Sequence, residues 1–170
     1  SDINLFNLFE KKQTRYGIGY DIHKIDFKSK NKLKLCGIYI NHPPLIAHSD
    51  GDVGYHSICD SIFGALTIGD IGKFFNNKDK RWKNKNSKFF LEFAREKISE
   101  KNAKIINLDM NFICEKPKIS TLANRMKLNI SKILKIDKSI INIKATTNEK
   151  VGLIGKNEAI AVESIITIEL

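Results

Sequence analysis

Residues Ala159 to Glu169 read AIAVESIITIE, a run whose two alternating sets decide the fold. Ile160, Val162, Ser164, Ile166 and Ile168 fall on one side of a strand, and Ala161, Glu163, Ile165, Thr167 and Glu169 on the other. A strand this apolar belongs inside a sheet. Working outward, Tyr16–Ile22 and Ile140–Ala145 also read as strands, as does Ile105–Cys114, while Leu33–Ile40 reads as a strand or a tight hairpin with Gly37 at its turn. Helical spacing of apolar residues predicts helices over Val53–Ile68, capped by Asp50 or Asp52, over Lys88–Lys101, capped by Ser87, and over Pro117–Ile136. Strands at both ends with helices between them indicate an α/β (α+β) sandwich, with helices packed on one face of a mixed β-sheet. The other face of the sheet then requires cover, and a neighbouring subunit is the expected source.

The chain has 170 residues, 42% of them hydrophobic, which suits one domain with one core. Residues 16–170 are expected to form it, with 1–15, including Ile3, Leu5, Phe6, Leu8 and Phe9, as a short extension. Lys and Arg number 29 against 19 Asp and Glu, a formal charge of +10. Such a balance suits nucleic acid, an anionic membrane or a phosphorylated small molecule, but much of the charge sits in solvated runs such as Asn76–Lys88. No uncharged stretch is long enough to cross a membrane as a helix, because His56, Asp60 and Asp70 interrupt the most apolar one. Cys36, Cys59 and Cys114 form no CxxC pair, so neither a disulfide framework nor a cysteine zinc ribbon is signalled.

Four stretches carry chemistry. Asp21 and His23 lie two apart on the first strand, so both side chains point to one face as a two-ligand chelate requires. His56, on the first turns of the following helix, would add a third ligand; an Asp-His-His set suits zinc, or manganese or cobalt, and leaves a coordination position open for a substrate oxygen. Taken alone, the DxH pair reads more readily as a surface turn or an ordinary core histidine than as a pair of ligands. Gly69-Asp70-Ile71-Gly72 allows close backbone approach to a polyhydroxyl or phosphate group, or marks a glycine helix stop. Ala145-Thr146-Thr147-Asn148-Glu149-Lys150 places two hydroxyls, a carboxylate and an ammonium in one loop, suited to a metal-bound diphosphate or to a plain polar turn.

Together, YDIH, AHSDGDVGYH, GDIGKFF and KATTNEKVG, in this order and spacing, resemble the 2-C-methyl-D-erythritol 2,4-cyclodiphosphate synthases of non-mevalonate isoprenoid (terpenoid) biosynthesis. The resemblance implies a lyase acting on a cytidine diphosphate methylerythritol 2-phosphate. Its 2-phosphate attacks the β-phosphorus, giving the cyclic diphosphate and CMP. It implies a homotrimer with active sites between subunits and sheets around a central cavity. Zinc would bind Asp21, His23 and His56, and magnesium or manganese on the diphosphate would bind Glu149. His48 and Thr147 would stabilise the transition state, and Ser49 would face the phosphates beside Asp21 and His23. Asp70, Ile71 and Gly72, with Phe75, Asn76, Asn77, Lys78 and Asp79, would hold the erythritol end. The cytidine would rest on Cys114, Glu115, Lys116, Pro117, Lys118, Ile119 and Ser120, and on Ala145, Thr146 and Thr147, with Asn148 and Leu153 completing the substrate set. Lys156 would meet an isoprenoid diphosphate in the cavity, as a point charge where the family often has arginine. Asp50 and Asp52 are left to cap the helix and fix the loop.

Two other functions compete. A basic nucleic-acid module would explain the charge, but stacking aromatic motifs are absent, so no nucleic-acid partner is expected. A generic zinc phosphoesterase would use the same three ligands and hydrolyse its substrate. A first residue other than Met and heavy Lys and Asn use point to a plastid protein freed of its transit peptide, with the bacterial cytoplasm as the alternative.

Overall fold

The computed structural model describes residues 12–76 and 78–170; the apolar cluster of the extension and Asn77 lie outside the described residues. Strand β1 (Thr14–Lys24) is followed by a short hairpin, β2 (Leu33–Leu35) and β3 (Ile38–Ile40), and then by helix α1 (Val53–Ala65). A four-residue helix α2 (Ile71–Phe74), helix α3 (Ser87–Glu100) and strand β4 (Lys104–Ile113) come next. Helix α4 (Ala123–Leu134), β5 (Ile141–Thr146), the short α5 (Gly152–Gly155) and β6 (Ala159–Glu169) complete the chain.

The main sheet has the order β1-β6-β4-β5, with β6 antiparallel to both neighbours and β4 parallel to β5. That mixed sheet is the expected one. The β4-to-β5 crossover carries α4, since parallel neighbours need a long connection and a helix supplies it. Helix α1 lies on β1 and β6, and α3 packs between α1 and α4. The alternation read from β6 divides as its chemistry requires. Ile160, Val162, Ile166 and Ile168 are fully buried under the helices, and Ser164 among them donates its hydroxyl to the Ser57 carbonyl at 2.7 Å. A buried hydroxyl is tolerable only when so paired.

Two glycines bring α1 down onto β1. A Cβ on Gly17 would lie 1.8 Å from the Ser61 carbonyl oxygen, and one on Gly19 would lie 1.8 Å from that of Ser57. Both neighbours are backbone, so neither can yield. Any larger residue would separate the strand that carries Asp21 and His23 from the helix that carries His56.

On the opposite face the sheet is uncovered. Ile18 is 71% exposed and lies across from Ile165, 49% exposed, with Tyr16, Tyr20 and Ile22 extending the patch along β1. Asp109, Asn142 and Lys144 make a polar border on β4 and β5, with Lys144 Nζ 2.6 Å from Asp109. An apolar patch with a polar rim is the usual mark of an interaction surface.

Several local expectations change. Helix α1 ends at Ala65, and the predicted Pro117–Ile136 helix becomes a 3-10 turn at Ile119–Thr121 followed by α4. Asp52, not Asp50, caps α1: its carboxylate accepts from Tyr55 N at 3.2 Å, and from Cys36 N and Gly37 N, both at 2.8 Å. It thereby pins the hairpin turn, where Cys36 and Gly37 both have positive φ, the geometry a two-residue hairpin favours. Burial pushes its carboxyl up to about 6 against those donors. Ser87 is not the cap of α3 either; Asn86 is, accepting from Lys88 N at 3.0 Å, and the Ser87 hydroxyl is turned inward. Asp70 sits at the start of α2 and accepts from Lys73 N at 2.9 Å.

Candidate functional site

The side chains of Asp21, His23 and His56 converge where β1 passes beneath the first turn of α1. One ligand atom from each lies within 4.8 Å of the others. Asp21 Oδ2 is 3.0 Å from His56 Nδ1 and 3.3 Å from His23 Nε2. Donor atoms around a tetrahedral zinc ion with bonds near 2 Å are roughly 3.3 Å apart, so the set is already gathered at coordination spacing. This group could bind a metal ion.

The surrounding backbone orients it. The loop after β3 runs beside the end of β1, with Ile46 N donating to the Lys24 carbonyl at 2.8 Å. That brings the Ile46 carbonyl 2.8 Å from His23 Nδ1, which donates to it and leaves Nε2 turned toward Asp21. Burial pushes the Asp21 carboxyl up, but the hydrogen bonds and charges of His23 and His56 outweigh it and hold it well below the usual carboxylate range. The hydrogen bond to Asp21 raises His23, against burial. A carboxylate is thus held between two imidazoles.

The triad opens into a cavity of about 170 Å³ that also receives His48, Ser49, Ile71 and Phe75 from the sequence-predicted set. Its wall is aromatic. Phe75 meets Phe90 at 4.6 Å and Trp82 at 5.1 Å between ring centroids, and Trp82 stands in a 3-10 turn, Lys80–Trp82, within the stretch whose charge reads as a solvated loop. Among the described residues, His48 Nε2 is one of three buried side-chain polar atoms without a protein partner. A buried donor or acceptor left without a partner costs free energy unless something from outside meets it.

A second cavity, of about 440 Å³, shares no lining residue with the first. Cys114, Glu115, Pro117, Lys118, Ile119 and Ser120 form one wall, and Ala145, Thr146 and Thr147 the other. Cys114 N donates to the Thr146 carbonyl at 3.1 Å, and Asn148 N to Glu115 at 3.2 Å, so the two loops are held together.

Comparison with known proteins fits this geometry. A model of the YgbB family matches residues 14–169. The chain belongs to the YgbB family. It is 48% identical to a protein of Ehrlichia ruminantium named 2-C-methyl-D-erythritol 2,4-cyclodiphosphate synthase, over 89% of this chain and 91% of that protein. It is 49% identical to the bifunctional enzyme IspD/IspF of Wolbachia pipientis over 97% of this chain, yet spans only 43% of that relative's length. Among solved structures it is similar to the CDP complex of IspF from Plasmodium falciparum, with a TM-score of 0.81 and 44% identity, covering 91% of this chain and 95% of that one.

Within this YgbB-family chain the remaining predicted site residues line neither cavity. Asp70 and Gly72 are exposed at α2, and Asp79 is bound to Arg81 at 2.6 Å beside Asn76 and Lys78. Lys116, Asn148, Leu153 and Lys156 stand outside the second cavity, and Glu149 is exposed, with the Thr147 hydroxyl 3.4 Å from its carboxylate. Sequence reasoning missed Asp60 and Phe90 in the metal cavity. Asp60 follows His56 by four residues, so helical spacing alone places it on the same side of α1. It accepts from Ile71 N at 2.7 Å and ties α2 to the cavity rim. Also missed were Ser87 and Asp50: Ser87 Oγ lies 2.8 Å from His56 Nε2, and Asp50 accepts from Ser87 N at 3.0 Å and from Lys34 Nζ at 2.6 Å. Burial pushes Asp50 up, but Lys34 and Ser87 hold its carboxyl below the ordinary value.

Proposed function

We propose that this chain is a 2-C-methyl-D-erythritol 2,4-cyclodiphosphate synthase, a lyase of isoprenoid biosynthesis that cyclises a cytidine diphosphate methylerythritol 2-phosphate and releases CMP. The reading is carried by one observation: Asp21, His23 and His56 meet at coordination spacing in the cavity where His48 Nε2 lacks a protein partner. The single domain is taken as residues 16–170, with 1–15 as its extension.

Zinc on Asp21, His23 and His56, with magnesium or manganese near Glu149, would supply Lewis-acid charge at the diphosphate. The chain's own residues do the rest. The nucleophile is a phosphate oxygen of the substrate, so the protein has to position and stabilise and need not attack. His48 and Ser49 line the cavity, and their side chains would hydrogen bond to phosphoryl oxygens. Phe75, Phe90 and Trp82 exclude water from that end. Thr147 stabilises the leaving side, and the second cavity takes the cytidine. Asp70, Ile71 and Gly72, with Phe75 to Asp79, hold the methylerythritol end.

Because the two cavities share no residue within one chain, we take the working site to lie between copies of a homotrimer. The apolar patch around Ile18 and Ile165 would be the buried face, its sheets enclosing a central cavity in which Lys156 meets an isoprenoid diphosphate. The similar proteins from Ehrlichia and Wolbachia are bacterial, which favours a bacterial cytoplasmic setting over the plastid. Among the described residues no helix is long and apolar enough to cross a membrane.

The test is His56→Ala, assayed for CMP release from the cytidine diphosphate substrate and for bound zinc. Loss of both is expected, and full turnover in that variant would overturn the assignment. Formation of a hydrolysed, non-cyclic product by the wild type would favour the zinc phosphoesterase instead.

A further inference from the structure

We infer that Ser87, held by Asp50 and Lys34, is the positioning residue that fixes His56 in the one ring form able to offer Nδ1 to a metal ion.

The observation is a chain of contacts leading away from the triad. His56 Nδ1 faces Asp21 Oδ2 at 3.0 Å, and its other nitrogen, Nε2, faces Ser87 Oγ at 2.8 Å and Ser49 Oγ at 3.2 Å. Ser87 Oγ in turn lies against Asp50 Oδ1, while Asp50 Oδ2 takes the Ser87 backbone N–H at 3.0 Å and Lys34 Nζ at 2.6 Å. Ser87 is fully buried and Lys34 is 8% exposed, so water does not substitute for these partners.

The direction of each bond follows from counting hydrogens. An ionised carboxylate only accepts, and Lys34 beside Asp50 keeps that carboxylate ionised. Ser87 has one hydroxyl hydrogen, and it goes to Asp50. The serine oxygen is then left as an acceptor, so the bond from the ring must be Nε2–H to Ser87 Oγ. With Nε2–H committed to Ser87, Nδ1 is the nitrogen left to face Asp21, giving it a proton or, once a metal ion displaces that proton, offering the metal a lone pair. His23 is set the other way, with Nδ1–H on the Ile46 carbonyl and Nε2 toward Asp21. The two histidines therefore present opposite nitrogens to one point, each chosen by what holds its far side. His23 is oriented by backbone, whereas His56 is oriented by side chains that substitution can change.

Asp50 and Ser87 come from different elements, the loop before α1 and the first turn of α3. The same bonds that set the ring also join these elements. A purely structural role would show as lost stability alone, so the experiment has to read the ring itself. This inference rests on Asp21, His23 and His56 being a metal site.

The experiment compares wild type, Ser87→Ala, Asp50→Asn and Ser87→Thr. Long-range ¹H–¹⁵N spectra of the zinc-loaded proteins report which His56 nitrogen binds the metal and which keeps its proton. Competition against a chromophoric chelator gives the zinc Kd, and thermal melts report folding. Wild type is expected to show His56 bound to the metal through Nδ1 and protonated on Nε2. Asp50→Asn should loosen that arrangement, because its amide can donate to Ser87 Oγ and turn the hydroxyl hydrogen onto the ring, where it opposes Nε2–H. Ser87→Ala should leave a mixture of ring forms, and both variants should weaken zinc by roughly 10–100-fold. Ser87→Thr, which keeps the hydroxyl, should recover both readouts. Should Ser87→Ala fail to fold, Asp50→Asn still reports the same ring. An unchanged Nε2–H form and a wild-type Kd in a folded Ser87→Ala or Asp50→Asn would overturn the inference and leave the metal site standing. A wild type that takes up no zinc would overturn both.

Discussion

The metal end and the nucleotide end of the site are built on different plans. Asp21, His23 and His56 stand on a long strand and a long helix pressed together through two glycines, and nearly every polar atom behind them is already bonded. The Cys114–Ser120 and Ala145–Thr147 walls are loops closed by a few contacts, and the groups beyond them, Asn148, Glu149 and Lys150, lie at the surface. The first region can gather a charged ligand set without help, whereas the second has a shape but lacks much of what would close it. Metal binding should therefore be a property of the single chain, and turnover a property of the assembly.

The largest effect should come from forcing β1 off α1. A Cβ at Gly19 meets backbone at 1.8 Å, and relief requires the strand or the helix to move. Gly19→Ala is expected to cost about 4 kcal/mol or more, a drop in Tm on the order of 10 °C, with zinc binding lost. Gly152, near the nucleotide end, has φ of 65°, and a Cβ there would meet nothing within 4 Å, so Gly152→Ala should cost only about 1 kcal/mol of backbone strain. Thermal melts of the two variants check the contrast; equal losses would mean that the two ends are equally rigid.

Next is a charge on the uncovered sheet face. Ile18→Asp alters no atom of either cavity, since Ile18 points away from α1. In a trimer that buries this face, the substitution should leave folded single chains that still bind zinc but have lost at least about 10³-fold in turnover, because an unpaired carboxylate is costly at a buried interface. Sedimentation with zinc analysis measures both. An active monomer would show that one chain holds a complete site.

How far the two ends are legible in the sequence follows the same division. Asp21 and His23 announce themselves by strand period, and β6 by its alternation, because those signals are local. His56 can be offered from the residues as a third ligand but not placed, since nothing in a spacing of thirty-three residues says that a strand and a helix will meet. Ser87 reads as a cap because serine before an apolar helix usually is one, yet Asn86 does the capping and packing turns Ser87 toward Asp50. Asp50 and Asp52 look interchangeable in SDGD. The hairpin turn takes Asp52 and the Lys34 ammonium takes Asp50, and both partners lie far back in the chain. Gly17 and Gly19 read merely as part of a strand, although their alternation marks the side facing the helix. Helix α2 has four residues, too few for any periodicity to reveal.

A smaller effect is expected at the nucleotide end. Thr147→Ala removes one hydroxyl from an exposed loop and disturbs only its two 3.4 Å contacts with Glu149, to the carboxylate and from the backbone N–H. Turnover should fall about 10²-fold with zinc affinity and Tm unchanged, the split expected of a group that acts on the transition state alone. A parallel loss of zinc would mean that the two ends are coupled more tightly than their geometry indicates.

The smallest effect, and the sharpest test of the difference in burial, is a pH dependence. Lys34 and Ser87 hold the Asp50 carboxyl below its ordinary value of 3.8, against burial. Between the folded and unfolded values the unfolded chain binds the extra proton. The stability Asp50 contributes is thus fully present above 3.8 and is lost as pH falls through the lower folded value. Asp50→Asn should cost roughly 2 kcal/mol near neutral pH, as expected for hydrogen bonds to a buried charge, and the gap from wild type should close in acid. Asp109, paired with Lys144 on the open face, is shifted in the same direction, but solvent screens it, and Asp109→Asn should cost at most about 0.5 kcal/mol. Denaturant titrations of the zinc-free proteins at neutral and acid pH separate the two carboxylates. If the Asp50 gap persisted in acid, Asp50 would be stabilising the loop by its shape and not by its charge, and the ion pair behind the metal end would be no stronger than the one on the open face.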